Sequence, residues 1–185
     1  KKNFTLNRIN DIADLKALVH IFNTKEGNKI FCPEISYSNK TINAENCCID
    51  YSSLSIDENK WSKNEIVIES TGKFVTKQSA QKHLDSGASY VVLTCPSEDA
   101  DITLISGINE NCFDKLKHKF ISASSCTAQA TVPVIAALMP LKVDKIMLTT
   151  VHPYTVNNVL LDMPARNLRE SRSCTMSIVP ARTKV

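Results

Sequence analysis

The feature that most constrains this chain is a repeated switch between two periodicities. FTLNRIND (residues 4–11) alternates like a strand, and Leu15, Leu18, Val19 and Phe22 then recur at helical spacing. EIVIES (65–70) is a compact apolar strand ending at Thr71-Gly72, and the stretch from Val75 to Ser86 reads as a helix closed by Gly87. SYVVLTCPS is a further strand, stopped by Pro96, and ITLISGIN and KHKFISAS add two more apolar runs. KIMLTTVHPYT reads as a strand with His152 near its end. Strands alternating with helices imply βαβ units and a mostly parallel sheet, so the expected fold class is α/β. Between Lys29 and Asp57, short β-prone pieces broken by Asn and Ser read as an antiparallel excursion without assignable chemistry.

Ligands of parallel sheets collect outside the carboxyl ends of the strands. Asp11, Thr71-Gly72, Thr94 and Ser125-Cys126 all follow predicted strands, and they are expected to face one crevice. The four glycines are widely separated, so the sequence contains no glycine-rich phosphate loop.

Composition sets the class. With 185 residues, 43% hydrophobic and 22% charged, the chain can bury one good core, or one domain and part of a second. The net charge of +3 is dispersed, which argues against nucleic acid or an anionic membrane as partner. No run is long and apolar enough for a membrane span, and the N-terminus lacks the apolar core of a signal peptide, so a cytoplasmic protein is expected. Seven cysteines without paired zinc-type spacing point to reduced thiols, and no metal site is expected. Cys47-Cys48 reads as half-buried strand, and His20, His83 and His118 as surface or capping groups.

SASSCTAQAT (122–131) stands apart, because it places Cys126 where a strand hands over to the helix TAQATVPVIAALM. Backbone N–H groups at a helix N-terminus favour a thiolate and could hold an oxyanion on a bound carbonyl. His152, 26 residues on, supplies a base, and together they form a nucleophile and base pair. A cysteine at a helix start, taken alone, is more often packing than catalysis. A cysteine hydrolase is disfavoured because no Asn or acid is recognisably placed to orient His152.

Read together, ESTGKF, CPSEDAD, ISGIN, SASSCTAQATVPVI, LTTVHPYT and SIVPARTK closely resemble phosphorylating glyceraldehyde-3-phosphate dehydrogenases in order and spacing, from about residue 9 to the last residue. LLDMPARNLRESRS is similar to the bacterial and plastid branch, and SIVPARTK to the related erythrose-4-phosphate dehydrogenases. The resemblance implies an incomplete Rossmann-type NAD-binding domain over residues 1–125 and the start of an α+β catalytic domain over 126–185. It implies that Cys126 attacks the aldehyde of glyceraldehyde 3-phosphate, that His152 removes the proton as NAD takes hydride, and that inorganic phosphate cleaves the thioester. Asp11 would bind the adenosine ribose, with Thr71, Gly72 and Thr94 along the cofactor. Ser125, Thr127, Thr155 and Thr183 match phosphate-binding positions, and a loop around Arg166 to Arg172 would meet a neighbour in a homotetramer.

The chain departs from the family at Ala123, Ala128 and Gln129 around the cysteine, and at Lys184, where a phosphate-facing glycine is usual. The resemblance also implies family segments before residue 1, including the glycine-rich turn, and beyond Val185. The 185 residues alone are therefore expected to be nearly inactive and to bind NAD weakly. Erythrose 4-phosphate as substrate, or a non-catalytic relative acting as a binding or assembly subunit, are the alternatives.

Overall fold

A computed structural model describes residues 4–24, 34–44, 47–62, 65–165 and 167–181. Thr183 and Arg166 lie outside the described residues. The chain divides into two compact units, Lys1–Trp61 with Asp85–Gly87, and Ser62–Leu84 with Ala88–Val185.

In the first unit, β1 (Arg8–Asn10) leads into α1 (Leu15–Thr24), followed by β2 (Ile35–Ser38), β3 (Thr41–Ala44) and β4 (Cys47–Ser52). The sheet order is β1-β4-β3-β2, with β1 parallel to β4 and the other pairs antiparallel. Asn39, at φ 52, makes the two-residue turn between β2 and β3, a conformation Asn tolerates better than most residues. Period-2 alternation puts Ile49 and Tyr51 on the buried face of β4, and i, i+4 spacing puts Leu15 and Val19 on the buried stripe of α1; with Ile42 they form the core. The Tyr51 hydroxyl donates to the carbonyls of Asp11 and Ala13 and so ties down the β1–α1 turn. The antiparallel excursion is present as expected. Cys47 and Cys48, however, are exposed rather than half-buried, because the buried face of β4 begins at Ile49.

In the second unit, β5 (Ile66–Glu69), α2 (Lys77–Asp85), β6 (Tyr90–Leu93), β7 (Ile102–Thr103) and β8 (Phe120–Ser122) precede α3 (Cys126–Leu138). The four strands are all parallel, in the order β5-β6-β8-β7. Ala80 of α2 packs on Val91, Leu93 and Phe120 to make the core. Gly87, which follows α2 in the chain and belongs to the first unit, has φ +116, and a Cβ there would come within 2.3 Å of the carbonyl oxygen of Trp61 in that same unit, so only glycine fits. The fold is α/β, as expected, but its strands form two sheets, one mixed and one parallel, instead of a single one.

One expected strand does not form. Residues 143–155 carry no regular secondary structure, so His152 is not at a strand end. A strand exists only by pairing its backbone with a neighbour, and among the described residues none pairs with this run. Its apolar side chains are exposed, Met147 at 95% and Val151 at 81%. Among the described residues no helix is long and apolar enough to cross a membrane.

Candidate active site

The strand β8 is buried along its whole length, and the chain leaves it through a tight elbow in which Ser124 has φ 61. Ser125 then takes an extended conformation and caps α3, its hydroxyl accepting from the N–H of Ala128 at 3.0 Å. Cys126 is the first residue of the helix, exposed, with its Sγ 3.5 Å from His152 Nε2. The other imidazole nitrogen, Nδ1, lies 2.6 Å from the Pro153 carbonyl oxygen. A carbonyl can only accept, so Nδ1 carries the hydrogen and, in the neutral ring, Nε2 presents a lone pair to the thiol. A main-chain carbonyl thus orients the ring where the sequence offered no acid.

The two groups shift one another in opposite directions. The hydrogen bond from His152 is the main influence holding the Cys126 thiol below its ordinary range; burial opposes it, and the side chain of Thr127, the charge of His152 and the backbone of Thr127 add to the lowering. His152 is raised, first by the Pro153 carbonyl and then by Cys126. Among the groups that lower this thiol, the imidazole comes first and the Thr127 N–H at the helix start last.

His152 also lines an open cavity of about 780 Å³ with Thr127, Thr150, Thr155, Asn158 and Thr175. Thr127 and Thr155 line this one cavity, while the Ser125 hydroxyl accepts a capping hydrogen bond. The N–H and hydroxyl of Thr155 both donate to Asn158 Oδ1, at 2.8 and 3.2 Å.

The remaining predicted residues lie at the carboxyl ends of parallel strands. Asp11 follows β1 in the first unit, exposed, its carboxylate accepting from the N–H of Ala13 at 2.8 Å. Thr71 and Gly72 follow β5, and Thr94 follows β6. Gly72 has φ +70, which favours glycine, and open space where a Cβ would stand.

Glu69 gathers this second group, a residue the sequence reading passed over. The N–H and hydroxyl of Thr71 donate to one of its carboxylate oxygens, His83 Nε2 lies 3.0 Å from the other, and its main-chain carbonyl accepts from the N–H of Thr94 at 3.2 Å. His83 is therefore not a surface or capping group. It is 5% exposed and faces the sheet from α2. The signal was in the strand: with Val67 buried, period 2 places Glu69 on the same face, where a carboxylate requires a partner. His118 does act locally, Nδ1 accepting from the N–H of Asp114.

Burial alone would raise the Glu69 carboxyl, but the hydrogen bonds from His83 and Thr71 outweigh it and hold the group below its usual range. A carboxyl depressed in the folded state contributes stability that is present above its unfolded value, about pH 4.3, and lost as pH falls through the lower folded value. Urea unfolding between pH 6 and pH 3 is expected to show that loss, with Glu69→Gln flattening it. His83→Ala should cost about 2–3 kcal/mol at pH 7, because it strands one buried carboxylate oxygen.

The C-terminal domain model of the glyceraldehyde 3-phosphate dehydrogenases matches residues 125–185, beginning at the residue that caps α3. Over 184 residues, 95% of this chain, the sequence is 30% identical to the glyceraldehyde-3-phosphate dehydrogenase of Geobacillus stearothermophilus. It is 34% identical, again over 95% of the chain, to those of Priestia megaterium and Thermotoga maritima. The chain belongs to the glyceraldehyde-3-phosphate dehydrogenase family. It spans about half the length of these curated relatives, 53–54% of each. Within this family chain, the cysteine and histidine singled out by spacing are the two that approach each other in space.

Proposed function

We propose that this chain carries the nucleophile and base of an NAD-dependent, phosphorylating oxidation of glyceraldehyde 3-phosphate, and the observation that carries the reading is the 3.5 Å approach of Cys126 Sγ to His152 Nε2. The thiolate adds to the aldehyde carbon, a C–S bond forms, and the imidazolium of His152 gives its proton to the carbonyl oxygen. His152, now neutral, takes that hydroxyl proton back as the carbon gives up hydride and a thioester is left. Phosphate oxygen then attacks the thioester carbonyl, the C–S bond breaks, and Cys126 leaves as thiolate with an acyl phosphate as product. Thr127 and Thr155 line the cavity with His152, and phosphate oxygens would draw the Thr155 hydroxyl hydrogen away from Asn158 Oδ1.

NAD, when bound, supplies the hydride acceptor. The residues expected to hold it suit such a group: an exposed carboxylate after a parallel strand for the ribose, and an unobstructed glycine after β5. Asp11, Thr71, Gly72 and Thr94 take these roles, and Ser125 supports Cys126 as helix cap. In this reading residues 1–125 belong to the NAD-binding domain and 126–185 to the catalytic domain, within a cytoplasmic homotetramer. The exposed Leu168, in the loop preceding Arg172, fits an interface there.

The test is NAD reduction by the full-length product of the coding sequence, with glyceraldehyde 3-phosphate and phosphate and with erythrose 4-phosphate as competitor. Phosphate- and aldehyde-dependent reduction is expected, fastest with the three-carbon substrate. Native alkylation with iodoacetamide should label the peptide containing Cys126 before any other. A chain that reduces no NAD and labels first at Cys47 or Cys174 would instead be a non-catalytic relative.

A further inference from the structure

The elbow that presents Cys126 is held by a side chain to which no role has been given. Ser124 occupies the left-handed region, which an L residue keeps only when its surroundings impose it. One side of the elbow is fixed by the sheet: the N–H of Ala123 donates to the Leu93 carbonyl at 2.9 Å, and the N–H of Ser124 donates to the Ser122 hydroxyl at 3.0 Å. That hydroxyl is fully buried and itself donates to the Cys95 carbonyl at 2.8 Å.

The other side is fixed by Gln129, in the first turn of α3, whose own N–H donates to the Ser125 carbonyl at 2.9 Å. Its carboxamide Nε2 donates twice, to the Ala123 carbonyl at 2.6 Å and to the Leu104 carbonyl at 2.8 Å, and its Oε1 accepts from the N–H of Ser106 at 3.4 Å. Both amide hydrogens and the oxygen are thus committed to main-chain groups, in two segments outside the helix. One side chain joins the start of α3, the elbow and the loop after β7.

We infer that Gln129 is a positioning residue of the Cys126 site, clamping the elbow so that the sulfur stays within hydrogen-bond reach of His152. At 3.5 Å the thiol–imidazole contact is a hydrogen bond of ordinary length for sulfur, and it weakens steeply as the sulfur moves away or the angle bends. Carbonyls of the elbow and of the β7 loop accept only, so they need a side chain with two donors, which a carboxylate of the same shape does not provide. Gln129 touches no reacting atom; it acts through the place it gives to Cys126.

The inference rests on reading Cys126 and His152 as the reactive pair, and the test separates the two. The rate of Cys126 alkylation by iodoacetamide, read by peptide mapping, is followed from pH 5 to pH 10 in the wild type, His152→Asn, Gln129→Ala and the isosteric Gln129→Glu. Helical circular dichroism verifies that each is folded. The wild type should keep its reactivity to lower pH than an ordinary thiol, and His152→Asn should lose that advantage. If the wild type and His152→Asn coincide, the pair itself is refuted. If they differ, Gln129→Ala and Gln129→Glu are expected to move most of the way to the His152→Asn profile, with a rate at pH 7 lowered about tenfold. A folded Gln129 variant that keeps the wild-type profile overturns the inference, and Gln129→Glu decides the matter should Gln129→Ala not fold.

Discussion

Cys126→Ser is expected to lower aldehyde-dependent NAD reduction by the full-length product by four to six orders of magnitude, the scale on which removing a covalent nucleophile acts. The substitution changes one atom at an exposed helix start, so folding and substrate affinity should be little altered. What it removes is specific. His152 and Thr127 hold the thiol below its ordinary range, and no such contacts bring a serine hydroxyl near ionisation at neutral pH. Any ester formed would also leave a far worse leaving group than a thiolate when phosphate attacks. The measurement is steady-state turnover with KM determined separately, together with loss of alkylation in the Ser125 to Gln129 peptide. Turnover within tenfold of wild type would show that some other group is the nucleophile.

The parts of this fold that were legible in the sequence are those whose signal is local. β5, α2 and β6 follow from EIVIES, the helical stretch after Val75, and YVVL, because each buries a face at its own period against a partner close in sequence. The Cys126 elbow was legible for the same reason: a strand, small residues and a helix with a serine cap stand consecutively. The strand expected around His152 failed because apolar composition supplies a face but not a partner, and pairing is a tertiary property. Glu69 and His83 were missed for the complementary reason. Each looked polar and therefore superficial, and only the distance across the unit shows that they satisfy one another. Spacing along the chain likewise suggested that Cys126 and His152 belong together, while the Pro153 carbonyl that selects the imidazole tautomer leaves no trace in residue type.

His152→Asn should slow turnover by about a hundred to ten thousand fold, roughly 3–5 kcal/mol of barrier, with KM changed only a few-fold. The reason lies in how the pair would alter during the proposed reaction. While Cys126 is a thiolate, its hydrogen bond and charge help keep His152 protonated, beside the larger effect of the Pro153 carbonyl. Once sulfur is bonded to the aldehyde carbon that negative charge is gone, and the imidazole becomes easier to deprotonate at the step where a base is needed. Asparagine offers an amide that can neither hold the thiolate by charge nor take a proton, so both halves of the role are lost together. The pH dependence follows with its sign: the Cys126 thiol is lowered by His152, so thiolate reactivity persists in the wild type at pH values where an ordinary thiol is protonated, and His152→Asn moves that limb upward. At pH 7 an unassisted thiol is only about 3% ionised, which puts the expected loss of alkylation rate at ten- to thirty-fold. Pre-steady-state NAD reduction should show the deficit in the chemical step. A burst of undiminished rate in the variant would mean that the 3.5 Å contact is packing between neighbours and that the proton leaves by another route.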